Sequence, residues 1–98
     1  FDLIVMIETL ECMLKPKKAL RNVFKLLSDN GLFYLNFPIN APAPDNLYLL
    51  KSIEEVKDLL KDEGFLIKSC LQYPSAGYSL EKALELGITI TCILIASK

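Results

Sequence analysis

Glu8 and Glu11 are the residues of this chain best suited to chemistry. They follow an apolar run that spans Leu3 to Ile7, and they stand three apart. If the chain turns helical after that run, both carboxylates share one face. Paired carboxylates can bind a metal, hold a ribose or a cationic group, or move a proton. They can equally serve the fold, by facing the positive end of the helix that follows. A second place is the loop from Pro38 to Tyr48, whose asparagines can donate and accept toward a ligand while its prolines fix its shape. A rigid surface loop, with Asp45 and Asn46 opening a turn, satisfies the same residues. The third place is Gln72-Tyr73-Pro74 with Gly77-Tyr78, where tyrosines past a strand end can line a pocket or cap the core edge.

Several chemistries are excluded by residue type. The chain has no histidine, which removes the commonest general base and a common metal ligand. It has no Gly-rich loop of the Rossmann or P-loop kind. There is no G-x-S-x-G elbow and no cysteine spacing of a structural zinc site.

The elements that must position these groups alternate. A continuous Val/Ile/Leu run suits a strand buried on both faces, here from about Asp2 to Ile7. Polar groups just past its carboxyl end stand where open α/β sheets bind ligands. Pro16 and the spacing of Ala19, Leu20, Val23, Phe24 and Leu27 predict a helix, with Asn30-Gly31 as its stop. The strand LFYLNF follows and ends at Pro38. Ser52 opens a second helix, in capping-box spacing with Glu55. Its apolar stripe is Ile53, Val56, Leu59 and Leu60, and Gly64 ends it. A third strand, FLIKSCLQY, reaches Pro74. A short helix from Ser79 to about Leu86 stops at Gly87, and the strand ITITCILIA comes last. Such alternation implies right-handed crossovers and a largely parallel sheet. Periodicity leaves the direction of the last strand open.

Composition sets the frame. The 98 residues suffice for one domain, residues 1–98, and not for two. Hydrophobic residues make up 52%, high for so small a domain, which fits a chain that shares its core with something else. The longest apolar runs are far shorter than the roughly 20 residues of a spanning helix, so no membrane is expected. With 11 basic and 12 acidic residues the net charge is −1, which leaves no electrostatic footprint for nucleic acid. Lys15, Lys17, Lys18, Arg21 and Lys25 cluster on the outward positions of the first helix, as a solvated face or as a phosphate-binding patch. The three cysteines, Cys12, Cys70 and Cys92, have no CxxC spacing and read as reduced thiols of a cytoplasmic protein.

Across nearly its whole length the sequence resembles the C-terminal half of a class I S-adenosylmethionine-dependent methyltransferase. FDLIVMIETLEC resembles that family's fourth strand and following turn, commonly FD-apolar-E-x-LEH. PKKALRNVFKLLSDNGLFYLNFP resembles its next helix and fifth strand. SIEEVKDLLKDEGF resembles the helix leading to the sixth strand, and ITITCILIASK the seventh. The fold class so implied is α/β: a partial doubly wound, mostly parallel, Rossmann-like sheet whose last strand runs antiparallel between the fifth and sixth.

The resemblance also implies a first half, absent from this sequence, that carries the cofactor loop and the acid that holds the cofactor ribose. This chain then supplies the far wall. By position, Ile7, Glu8 and Thr9 lie near the methionine end of S-adenosylmethionine. Glu11, Asn36, Asn40 and Tyr73 face a small-molecule acceptor, and Glu8 or Glu11 is the best base available. Methyl transfer asks mainly for alignment of the acceptor lone pair with the methyl carbon and exclusion of water. Some members of the family hold a divalent ion with Glu-x-x-Glu-His. Here Cys12 stands in place of that histidine, and a thiolate is a poor magnesium ligand, so no metal is expected.

Two other readings stand beside this one. A non-catalytic, methyltransferase-like module would dimerise or scaffold a partner through its open strand edge. The C-terminal half of another doubly wound enzyme, such as a dehydrogenase, accounts less well for the NFP segment and the final strand.

Overall fold

The computed structural model describes residues 1–7, 15–40 and 52–98. The elements are β1 (Leu3–Ile7), α1 (Pro16–Leu26), β2 (Leu32–Ile39), α2 (Ile53–Asp62), β3 (Leu66–Pro74), α3 (Leu80–Leu86) and β4 (Ile90–Ser97), with a 3-10 turn at Ser75–Gly77.

Local chemistry accounts for most of the boundaries. Pro16 occupies the first turn of α1, where its missing N–H costs nothing. Ser52 caps α2 by accepting from the Glu55 N–H at 3.4 Å, and Ser79 caps α3 by accepting from the Lys82 N–H at 3.2 Å. Gly87 ends α3 in the left-handed conformation.

The end of α1 differs from the sequence expectation. The helix stops at Leu26, with Leu27 already extended, before Asn30-Gly31 is reached. Tertiary bonds hold this end. The Phe1 backbone nitrogen donates to the Leu26 carbonyl at 2.7 Å, and the Ser28 N–H donates to the Phe1 carbonyl at 2.8 Å. The Ser28 hydroxyl donates to the Asp2 carboxylate at 3.0 Å, and Lys98 Nζ donates to the Leu27 carbonyl at 2.8 Å. Gly31 serves a different purpose: a Cβ there would lie 2.8 Å from both the Leu27 side chain and the Phe1 carbonyl.

The four strands form one sheet in the order β1-β2-β4-β3. β1 pairs parallel with β2, while β4 runs antiparallel to both of its neighbours, β2 and β3. β1, β2 and β3 therefore point the same way, with β4 inserted against them. β2 runs on through Pro38 to Ile39 instead of ending at the proline. Pro38 lies past the last β1 partner, Asn36, so on that side its absent N–H faces no described strand. On the outer strand β3 the register slips between Ile67 and Ser69. The exposed Lys68 falls at that bulge, a device that discourages edge pairing.

One face of the sheet carries the core. Phe33, Leu35, Phe37 and Ile39 of β2 stand opposite Ala96, Leu94, Cys92 and Ile90 of β4, all at or near zero exposure. The buried residues of α1 (Leu20, Val23), α2 (Ile53, Val56, Leu60) and α3 (Ala83) join them in a single cluster. Phe65 sits edge-on to Phe24, ring centroids 5.1 Å apart, and tilts against Phe33 at 5.5 Å.

The structure corrects the expectation that β1 is buried on both faces. Ile4 and Met6 pack on the core. Leu3, Val5 and Ile7 on the other face are 58%, 51% and 56% exposed. The physical reason is that β1 is an outer strand and, among the described residues, no helix lies over that second face. No described helix is long and apolar enough to cross a membrane.

Phe33 anchors the covered face at the junction of sheet and helices. Phe33→Ala should lower the unfolding free energy by about 3–5 kcal/mol, read from urea or guanidinium melts with an unchanged m-value.

Candidate cofactor and acceptor site

Residues directly opposite on paired strands project to the same face. Ile7 is opposite Asn36, Asn36 is opposite Ile93, and Ile93 is opposite Leu71. The uncovered face thus presents one row of Ile7, Asn36, Ile93 and Leu71 across all four strands. The next row on the same face, toward the strand tips, holds Pro38, Thr91 and Tyr73. Around them Leu71 and Tyr73 are exposed, while Tyr34, Ile93 and Ile95 are half-buried.

In this row Asn36 is the polar exception. Its Oδ1 is buried and, among the described residues, has no hydrogen-bond partner. A buried acceptor left unmet costs about 1–3 kcal/mol. Asn40, just past the tip of β2, adopts a left-handed φ of 54° that asparagine tolerates better than most residues. Its carbonyl accepts from the Thr89 hydroxyl at 3.0 Å, which ties the tip of β2 to the entry of β4.

Of the residues singled out from sequence, Ile7 and Asn36 are brought side by side at the carboxyl end of β1. Tyr73 shares their face two strands beyond β2, 53% exposed rather than capping the core edge. Asn40 stands at the strand tip. Glu8, Thr9 and Glu11 lie outside the described residues, as does Cys12. Among the described residues no group of His, Cys, Asp or Glu is placed to hold a metal ion.

Sequence reasoning missed that Asn36 is isolated in an apolar row. A signal was present: the central strands are apolar on both alternating faces, so the single amide in LFYLNFPI stands out once register is known.

Cys92 is fully buried on the opposite, covered face. Burial, and secondarily the nearby Cys70, pushes its thiol up to about 12.

No family model matches the sequence, and no curated protein matches it. Solved structures do match. The (4+2)-cyclase SpnF superposes with a TM-score of 0.78 at 18% identity, covering 100% of this chain and 50% of its own. The 1,6-didemethyltoxoflavin-N1-methyltransferase of Burkholderia thailandensis, solved with bound 1,6-didemethyltoxoflavin and S-adenosylhomocysteine, gives a TM-score of 0.75 at 18% identity and covers 100% of this chain and 44% of its own. An S-adenosylmethionine-dependent methyltransferase from Mesorhizobium loti gives 0.74 at 16% identity and covers 100% and 62%. The fold is therefore that of part of a class I methyltransferase. The chain spans between 44% and 62% of the length of these three structures.

Two measurements bear on the site. Asn36→Leu should stabilise the chain by about 1 kcal/mol in urea melts, because it removes an unmet acceptor from an apolar row; a loss of similar size would show that the amide is satisfied. In a Cys12→Ser/Cys70→Ser background, Cys92 should react with a thiol reagent at pH 8 only as fast as the chain unfolds, since the thiolate is the nucleophile.

Proposed function

We propose that this chain forms the acceptor-side part of an S-adenosylmethionine-dependent methyltransferase that acts on a small molecule. The observation that carries the reading is the mixed sheet, with β4 inserted antiparallel between β2 and β3, which superposes on part of methyltransferases solved with S-adenosylhomocysteine. A methyltransferase from a Brevibacillus brevis multienzyme, also solved with S-adenosylhomocysteine, superposes at a TM-score of 0.72.

In this reading the uncovered apolar face and the buried Asn36 Oδ1 meet the remainder of the domain, which brings the cofactor loop. Ile7, Glu8 and Thr9 line the methionine end of the cofactor. Asn36, Asn40, Tyr73 and Glu11 face the acceptor. S-adenosylmethionine supplies a methyl group already activated on sulfur. The protein's share is to orient the acceptor lone pair toward it and to keep water away. Where the acceptor is a hydroxyl, Glu8 or Glu11 takes its proton. The isolated chain, with one wall of the cleft, is inactive.

A second reading has a specific observation in its favour. One of the superposing structures is a cyclase, so this fold carries chemistry other than methyl transfer. The exposed Leu3, Val5 and Ile7 also suit a scaffolding module that pairs with a second copy. Size-exclusion chromatography with light scattering separates the two, because a soluble monomer at high concentration removes the pairing module.

Titration calorimetry tests the leading reading. The chain alone should bind S-adenosylmethionine at millimolar strength at best, about 4 kcal/mol. The chain joined to a segment with a Gly-rich cofactor loop should bind at micromolar strength. Micromolar binding by the chain alone would overturn the one-wall geometry, and no binding by the joined protein would overturn the cofactor.

A further inference from the structure

Charge is unevenly placed in this nearly neutral chain. α1 and its N-cap, residues 15 to 26, hold five cations and no acid. Lys15, Lys17, Lys18, Arg21 and Lys25 are all exposed. Together with Asn22, Pro16 and Leu59 of α2, they line an open groove of about 640 Å³ between the outer surfaces of the two helices. Of these five cations only Arg21 meets a carboxylate among the described residues, its Nε 3.4 Å from Glu63. The groove lies on the helical layer, on the side of the sheet away from Asn36 and the uncovered face.

We propose that this groove docks an acidic helix of a partner protein. Lys18, Arg21, Asn22 and Lys25 follow the i, i+3, i+4, i+7 spacing that aligns side chains along one helix face. Lys15 to Lys25 spans ten residues, about 15 Å of helix, so no single phosphate touches both ends. A helix with carboxylates one turn apart, about 5.4 Å, repeats at the same interval as the cations. Leu59 and Pro16 supply an apolar spot for a side chain between those carboxylates, which is the arrangement of a helix laid in a groove.

The surroundings argue against the other polyanions. Glu55 and Glu63 flank Leu59 one turn away on either side along α2, and Glu63 already draws in Arg21. A membrane surface or a nucleic-acid backbone is uniformly negative and would press against these acids. A protein helix of mixed charge can set a cation beside them.

The probe is a fluorescein-labelled amphipathic peptide of about 15 residues, with glutamates at i, i+4 spacing along one face, a leucine between them and a lysine set to one side to meet Glu55 or Glu63, measured by anisotropy with the full chain at about 20 mM and about 200 mM NaCl. Micromolar binding that weakens at least tenfold at the higher salt is expected. Lys18→Glu/Lys25→Glu should weaken it at least tenfold again, and the milder Lys18→Gln/Lys25→Gln should fall between. Lys68→Glu, on the far strand, should change nothing. Circular dichroism confirms that each variant is folded, and these side chains are exposed. A scrambled peptide of equal charge, phosphatidylserine vesicles and a DNA duplex are the competing arms. No binding of the helical peptide, equal binding of the scrambled one, or tighter binding of vesicles or DNA would each overturn the proposal.

Discussion

Everything in this structure follows from a sheet that, among the described residues, is covered on one side only. Three helices place their apolar residues on the face that carries Phe33, Leu35, Phe37, Leu94 and Cys92. The opposite face is built from residues nearly as apolar, yet no described element packs on it. Burial of apolar area is the main favourable term in folding, at about 25 cal/mol per Å². A sheet with a second apolar face left open therefore retains a large unused driving force for association. That driving force connects the high hydrophobic content of the chain, the exposure of β1 and the part-length superposition on larger enzymes.

The same one-sidedness explains why a polar atom can be buried without a partner. Asn36 projects from the central strand β2 beside Ile7 and Ile93, with its Oδ1 buried and, among the described residues, unpartnered. In a finished two-sided core such an atom would be eliminated or paired. On an open face it stays available for a donor that arrives with whatever covers the sheet.

Much of the architecture was legible in sequence because it is locally encoded. Ser52, Ser79 and Gly87 declare helix ends by their own chemistry, and the apolar stripes at Leu20/Val23 and Ile53/Val56/Leu60 name the buried faces. What was not legible is decided by contacts distant in sequence. α1 ends at Leu26 because Phe1, Asp2 and Lys98 meet its last turn, not because of the glycine that follows. Pro38 continues a strand because no described residue of β1 pairs beyond Asn36, so its missing N–H leaves no described partner unmet on that side. The direction of β4 has no periodic signature, since an apolar strand reads alike in both senses, and only the family resemblance supplied it. Of the candidate site, Ile7 and Asn36 proved adjacent, but a single amide's isolation becomes visible only with register. Glu8, Thr9 and Glu11 rest on sequence and resemblance alone.

The clamp at the foot of α1 has a topological consequence. Leu3 and Ser97 both pair with Leu32, one on each side of β2, so the first and last strands begin and end two strand spacings apart, about 10 Å. The two outermost strands in sequence therefore brace the same central strand, although most of the chain lies between them. The order in which the strands are synthesised is thus separable from the order in which they lie side by side.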